Sequence, residues 1–313
     1  MCNYKVFVDG AAGTTGLRIQ ERLAQQKDIL VLSLPEAQRK DLNARAEMAT
    51  KADVSILCLP DDASKELCSL LEGSSARICD TSTAYRTQWV YGFAELAGRR
   101  AAIASASRVA VPGCHASGFL ALTAPLVERG AISASTQLAC HSVTGYSGGG
   151  KSMISDYTSP TRPNNYSSPR AYGLGLHHKH LPEMTKISGL QNAPVFCPIV
   201  ADYYAGMLVS VPLPTSALLT PYKTPNDIAN LFAGYYANEP LIKLNPAAQG
   251  GTQGFLAANL LQGLDYMELF VFGNEEQILL CALFDNLGKG SSGAALQCMN
   301  LMLGRLETAG LAL

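Results

Sequence analysis

An apolar strand, Val6-Phe7-Val8-Asp9, runs straight into Gly10-Ala-Ala-Gly13-Thr14-Thr15-Gly16, and a helical pattern follows over Thr15–Gln25. Glycines at a strand-to-helix turn let the backbone come close to a pyrophosphate. The helix start adds unpaired N–H groups and the positive end of its dipole. The spacing is G-x-x-G-x-x-G, one residue longer than the usual dinucleotide fingerprint, and such a string alone also fits a tight turn with no ligand. Its position at the first strand–helix junction favours the dinucleotide, with Gly10, Gly13, Thr14, Thr15 and Gly16 as the cradle. Further apolar runs at Ile29–Ser33, Val54–Leu59 and Ala76–Asp80 read as strands. Pro60 closes the second of these runs, and a helix over Asp62–Leu71 follows it. Strand and helix alternating at this spacing imply βαβ units and a parallel sheet buried on both faces.

The end of the second strand bears on which dinucleotide is bound. An acidic residue there would favour an unphosphorylated ribose. This chain has Ser33, then Glu36, Arg39 and Lys40. A hydroxyl followed by two cations suits a 2′-phosphate better and predicts NADP(H), although a solvated charged face is the ordinary alternative for Arg39 and Lys40.

With 313 residues, 48% hydrophobic and 16% charged, the chain has material for about two domains, and disorder is excluded. A net charge of −1 with no basic block argues against nucleic acid or an anionic membrane as partner. No apolar run approaches the length of a membrane span, and Met1–Lys5 leads directly into the first strand rather than into a signal peptide. The nine cysteines include no C-x-x-C pair, which points to a reduced, cytoplasmic protein and no metal site.

After residues 110–115 the texture changes. Residues 144–175 are rich in Gly, Ser, Pro, Tyr and Asn. Runs at Ala193–Val200, Gly206–Pro212, Tyr266–Gly273 and Gln277–Phe284 read as strands of a mixed, mostly antiparallel sheet, with a helix over Pro225–Tyr236. Leu296, Met299, Leu303 and Leu306 space out one helix over Ser292–Ala309. The fold expected is α/β: a Rossmann-like domain of residues 1–113 and 286–313, and an α+β domain of residues 114–285.

Two segments carry chemistry in the second domain. Cys114 lies in Val111-Pro112-Gly113-Cys114-His115, just before a helical run, and among the cysteines it alone stands in a Pro-Gly turn at a helix start. That position lowers a thiol pKa and exposes the thiolate. The second segment, His177-His178-Lys179-His180-Leu-Pro182-Glu183, holds three of the five histidines. A histidine paired with a reactive cysteine needs only one ring. A polar loop with incidental histidines is the alternative.

These motifs occur in order with Asp80-Thr-Ser82-Thr-Ala-Tyr85-Arg86, Thr144-Gly145-Tyr-Ser147-Gly148-Gly-Gly150-Lys151, Gly206–Leu213, Glu268–Gly273 and Asp285-Asn286-Leu-Gly-Lys289-Gly290. Together they resemble the N-acetyl-gamma-glutamyl-phosphate reductases of arginine biosynthesis, in their shorter form, from about residue 4 to residue 305. Two positions depart from that pattern: Val111 stands where Asn is usual, and His115 where Tyr is usual.

The resemblance implies a semialdehyde-dehydrogenase-type catalytic domain and NADPH-dependent reduction of an acyl phosphate to an aldehyde, with release of inorganic phosphate. It further implies a homodimer or homotetramer. Cys114 would be the nucleophile and His180 the acid/base, with His178 as the alternative ring. Glu183 would fix the helix end or contact the substrate. Arg86, Arg108 and Lys151 are the candidate cations for phosphate or carboxylate, and Ser147 and Gly148 form a candidate anion nest. Pro60, Ser82 and, from the family alone, Asn286 are placed against the cofactor. Two other readings compete: a neighbouring aspartate- or aminoadipate-type semialdehyde dehydrogenase, and a non-catalytic NADP sensor.

Overall fold

The computed structural model describes residues 4–11, 13–245 and 254–313, so Cys2 lies outside the described residues. The chain forms two compact units, Met1–Pro112 with Ser291–Leu311, and Gly113–Gly290 with Ala312–Leu313.

The first unit begins β1 (Tyr4–Asp9), α1 (Thr14–Ala24), β2 (Ile29–Leu32), α2 (Leu42–Lys51), β3 (Val54–Leu57) and α3 (Asp61–Leu70). It continues through β4 (Ile78–Asp80), β5 (Val90–Tyr91), α4 (Arg99–Ser105) and β6 (Arg108–Ala110). The six strands pair in the order β2-β1-β3-β4-β6-β5, and every pair is parallel. Successive side chains of a strand point to opposite faces, which sorts the core into two layers. Val6 and Val8 of β1 pack with Ile19 and Leu23 of α1 and with Met299 and Met302 of the C-terminal helix Gly293–Met302. Phe7 packs on the other face with Ala46 and Ala49 of α2 and Leu67 of α3. Asp9, the last residue of β1, brings the chain to the glycine turn.

The second unit contains α5 (Cys114–Glu128), β7 (Ala139–Gly145), α6 (Gly150–Thr158), β8 (Arg170–Ala171), α7 (Leu181–Ser188), β9 (Val195–Ala201) and β10 (Met207–Pro214). Then come α8 (Pro225–Tyr235), β11 (Ile242–Leu244), β12 (Met267–Gly273) and β13 (Gln277–Phe284). Its seven strands run in the order β11-β12-β13-β10-β7-β9-β8. Antiparallel pairing joins β12 to β13, β13 to β10, β10 to β7 and β9 to β8, with parallel pairing at the β11–β12 and β7–β9 steps. Helix α5 is buried along nearly its whole length and lies on one face of this sheet. Gly118 makes that approach possible, because a Cβ there would stand 2.5 Å from a Val209 methyl and 2.8 Å from the Phe284 ring.

Three expectations need correction. The C-terminal helix stops at Met302 rather than running to Ala309, and Leu306 is 73% exposed. There Asn300 turns its amide onto the carbonyls of Glu307 and Ala309, and Arg305 pairs with Asp28 at 3.0 Å. Side-chain capture of the following carbonyls replaces the next helical turn. Within 144–175, read only as Gly- and Ser-rich, the structure has the last residues of β7, then α6 and β8. Helices α2 and α4 also have no counterpart in the sequence reading. Their Arg- and Ala-rich stretches lack a strong apolar stripe.

Candidate active site

Gly113 is the residue that caps the start of α5, so Cys114 is its first helical residue. The first-turn N–H groups of a helix lack intrahelical partners, and the dipole stabilises a thiolate by roughly 0.3–2 kcal/mol. Cys114 is partly accessible, whereas Cys68, Cys79, Cys140, Cys281 and Cys298 are buried. Burial pushes the Cys58 thiol up to about 12 and the Cys68 thiol up to about 11, and it raises Cys140 and Cys281 as well. Those thiols stay protonated and inert. Gly290 leaves space beside Cys114, because a Cβ on it would lie 3.0 Å from the Cys114 Cβ.

The histidine segment meets this helix start through α7, which packs against α5. His180 caps α7 and is buried, and Pro182 occupies the first turn, where its missing N–H costs nothing. Glu183 is 1% exposed, and its Oε2 accepts from the Gly113 N–H at 3.1 Å. Its Oε1 lies 4.0 Å from His180 Nε2, a contact that becomes an ion pair when the ring is protonated. One carboxylate therefore links the cysteine helix to the histidine helix. His178 Nδ1 accepts from the His180 backbone N–H at 3.2 Å, and the two rings meet edge to face at 4.7 Å.

His115 completes the cluster, with its ring centroid 5.5 Å from His178 and 5.6 Å from His180. Its Nδ1 is 2.7 Å from Ser142 Oγ and its Nε2 is 2.7 Å from Tyr172 Oη. Burial, with smaller contributions from His178 and Lys179, lowers its pKa to about 3. Sequence reading marks His115 only as a departure and carries no signal for Ser142 or Tyr172. Neither stands in a motif, and only the folding of β7 and the segment after β8 brings them to the ring. Among the described residues, no group of three or more His, Cys, Asp or Glu side chains is arranged to hold a metal ion.

The glycine-rich segment lies in the same unit. Asn286 Nδ2 donates to Ser147 Oγ at 3.0 Å and its Oδ1 accepts from the Gly206 N–H at 2.8 Å. The amide placed against the cofactor by family likeness therefore braces Ser147 and Gly206. Gly148 and Lys151 are exposed, with Lys151 in the first turn of α6.

A second site belongs wholly to the first unit. A cavity of about 600 Å³ is lined by Asp9, Gly10, Ser33, Arg39, Lys40 and Arg45, among others. Gly10 adopts a φ of +77° and a Cβ there would collide with the Cys58 carbonyl oxygen, so the turn admits no side chain. Gly13 caps α1, and Thr14 and Thr15 open it. Arg45 Nε donates to Asp9 Oδ2 at 2.7 Å, and both side chains are buried. Nothing in the sequence signals this pair, because nothing there signals α2. Gly10 of the glycine turn, a hydroxyl and cations around one cavity suit an anionic nucleotide, whereas Gly13, Thr14, Thr15 and Gly16 are not among its lining residues.

Other first-unit candidates occupy different positions. Pro60 precedes α3 at the end of β3. Ser82 donates its hydroxyl to Asp80 Oδ2 at 2.5 Å. Arg86 is buried and donates to the carbonyls of Val111 and Thr81, both at 3.0 Å. Arg108 corrects the expectation placed on it. It begins β6, which lies between β4 and β5, three strands from β1 and its glycine turn, and its guanidinium donates to the carbonyls of Ala76 and Leu71. Its hydrogen-bonding capacity goes into fixing backbone there, which removes it as a phosphate or carboxylate ligand.

A parallel nucleotide-type unit, together with a mixed-sheet unit carrying a helix-start cysteine beside a buried histidine, defines the semialdehyde dehydrogenase class. Residues 114–286 match the family described as semialdehyde dehydrogenase, dimerisation domain. The fold is shared with aspartate semialdehyde dehydrogenase II of Vibrio cholerae complexed with ASA, at a TM-score of 0.72 and 15% identity, covering 96% of this chain and 98% of that one. It is shared also with the Candida albicans aspartate semialdehyde dehydrogenase with NADP, at a TM-score of 0.63 and 13% identity over 96% and 98% of the two chains. Sequence likeness is far greater to the N-acetyl-gamma-glutamyl-phosphate reductase of Brucella anthropi, 45% identical over 96% of this chain and 99% of the relative. N-acetyl-gamma-glutamyl-phosphate reductase 2 of a Nostoc species is 44% identical over 98% of this chain and 99% of the relative. The chain belongs to the N-acetyl-gamma-glutamyl-phosphate reductase family.

Proposed function

We propose that this protein reduces N-acetyl-gamma-glutamyl phosphate to N-acetylglutamate 5-semialdehyde with NADPH, releasing inorganic phosphate, as a step of arginine biosynthesis. The observation that carries the reading is Cys114 at the start of α5, tied through Glu183 to the His180 helix. The Cys114 thiolate attacks the acyl carbon, a C–S bond forms, the C–O bond to phosphate breaks, and the electron pair leaves with phosphate. Gly10, Gly13, Thr14, Thr15 and Gly16 of the glycine turn would hold NADPH, which would supply the hydride that reduces the resulting thioester. His180 protonates the thiohemiacetal oxygen and takes that proton back as the C–S bond breaks and the aldehyde leaves. Glu183 holds the charged form of His180 while it carries the proton. His178 and the Ser147–Gly148 segment with Lys151 line the substrate side and take its anionic groups.

The cavity bearing Ser33, Arg39 and Lys40 supports NADP(H) over NAD(H), because a 2′-phosphate needs cations and hydroxyls. Cysteines with no disulfide among the described residues fit a reducing cytoplasm. A homo-oligomer built on the second unit fits the dimerisation family that this unit matches.

The test is phosphate-dependent reduction of NADP by N-acetylglutamate semialdehyde, with aspartate semialdehyde as competitor. A greater kcat/KM for the aspartate compound would overturn the substrate. Cys114→Ser is expected to lower turnover by about a thousandfold or more while NADPH affinity, read by fluorescence, stays within twofold. Activity surviving that change would exclude a covalent mechanism.

A further inference from the structure

We infer that His115 is a positioning residue that fixes the hydroxyl of Tyr172 beside the nucleophile, through an uncharged chain running Ser142–His115–Tyr172. The inference rests on the reading of Cys114 as nucleophile and goes beyond it. His115 directly follows Cys114 on α5, and its ring is 3% exposed. Both ring nitrogens are engaged at 2.7 Å, one by Ser142 from the sheet under α5 and one by Tyr172, which follows β8. Phe196 and His178 close on the ring edge-on at 5.3 and 5.5 Å, so it cannot turn without breaking both hydrogen bonds.

A neutral imidazole offers one donor and one acceptor. Burial keeps His115 neutral over the working pH range. Burial, with a smaller contribution from Cys114, also raises the Tyr172 phenol, so its hydroxyl stays protonated. Two arrangements of the chain are possible. In one, Tyr172 spends its proton on Nε2 and Nδ1–H donates to Ser142. In the other, the Ser142 hydroxyl donates to Nδ1 and Nε2–H donates to Tyr172 Oη, which frees the tyrosine O–H. A negative sulfur favours the second arrangement, because it draws the tyrosine proton toward itself. Both arrangements hold the same protons, one on each hydroxyl and one on the ring, so they differ only in the imidazole tautomer and the hydroxyl orientations and neither carries a net charge. His115 thus acts through Tyr172, and the hydroxyl serves the sulfur or the oxyanion that develops next to it.

The test is a double-mutant cycle on the full chain, using His115→Phe, Tyr172→Phe and the pair together. Each single change is expected to lower kcat about tenfold and leave KM within twofold, and the pair to be no worse than either alone. Each should also slow alkylation of Cys114 by iodoacetamide, followed by peptide mass spectrometry, by threefold or more. Losses that multiply to about a hundredfold, or a His115→Phe protein with wild-type kcat and alkylation rate, would overturn the chain. Should His115→Phe not fold, Ser142→Ala is measured instead, alone and combined with Tyr172→Phe. It is expected to cost threefold or more in kcat with Tyr172 present and nothing further once Tyr172→Phe has been made, and wild-type behaviour would overturn the inference. The reading beneath is separated by Cys114→Ser. An active serine variant overturns the nucleophile and the chain together, whereas an inactive one with multiplicative His115 and Tyr172 losses overturns the chain alone.

Discussion

Burial holds the His115 pKa at about 3, against 6.5 for the free side chain, and this couples folding to acidity. The unfolded chain takes up the proton first as pH falls below about 6.5, so acid favours unfolding. Stability is therefore lost toward pH 3 at about 1.4 kcal/mol per pH unit from this one ring. His115→Phe removes that contribution. Urea unfolding at pH 7, 5.5 and 4.5 should show wild type losing stability more steeply than the variant, and parallel slopes would contradict a neutral buried ring. Arg39 and Lys40 invite a different measurement. Replacing either by Ala removes a charge-assisted contact worth about 1.5 kcal/mol and should weaken NADPH binding about tenfold while leaving NADH unchanged. Equal losses for both cofactors would move the 2′-phosphate elsewhere.

At the scale of elements, α5 begins at Cys114, the proposed nucleophile, and depends on its close seat against the second sheet. Gly118→Ala inserts a methyl group 2.5 Å from Val209, where neither β10 nor α5 can yield cheaply. Overpacking of this kind costs about 1–3 kcal/mol, which calorimetry would read as a Tm several degrees lower. An unchanged Tm would show that α5 shifts freely. The elements legible in the sequence are those with strong periodicity or apolar runs, such as β1 with α1, and β10, β12 and β13. Helix α2 escapes notice because its buried face consists of Ala46, Ala49 and the stem of Arg45, whose contrast with the exposed face is weak. The periodicity out to Leu306 overstates the last helix, because spacing alone cannot show that Asn300 captures the carbonyls beyond the helix end.

For the whole molecule, the second sheet has one face under α5 and another that presents His141, Val143, Cys197, Ile199, Leu208 and Leu279, all at least partly exposed. An open apolar sheet face fits a second copy of the chain, in keeping with the dimerisation family matched by this unit. Leu279→Asp places a charge there and should shift the protein toward monomer in light scattering at micromolar concentration, with the far-UV spectrum unchanged. An unaltered mass would assign the contact to another surface. The class of each unit is legible in the sequence, and so are the glycine turn and the Pro-Gly-Cys114 segment as local structures suited to chemistry. A glycine turn after a strand, and a cysteine behind Pro-Gly at a helix start, act through local backbone geometry that neighbouring residues specify. Folding was needed to reveal that Glu183 reaches Gly113, that Arg45 neutralises Asp9, that Asn286 braces Ser147, and that Arg108 is spent on backbone carbonyls. Each of those partnerships joins segments at least 32 residues apart, as with Arg108 and Ala76, and such hydrogen bonds depend on where whole strands and helices come to rest.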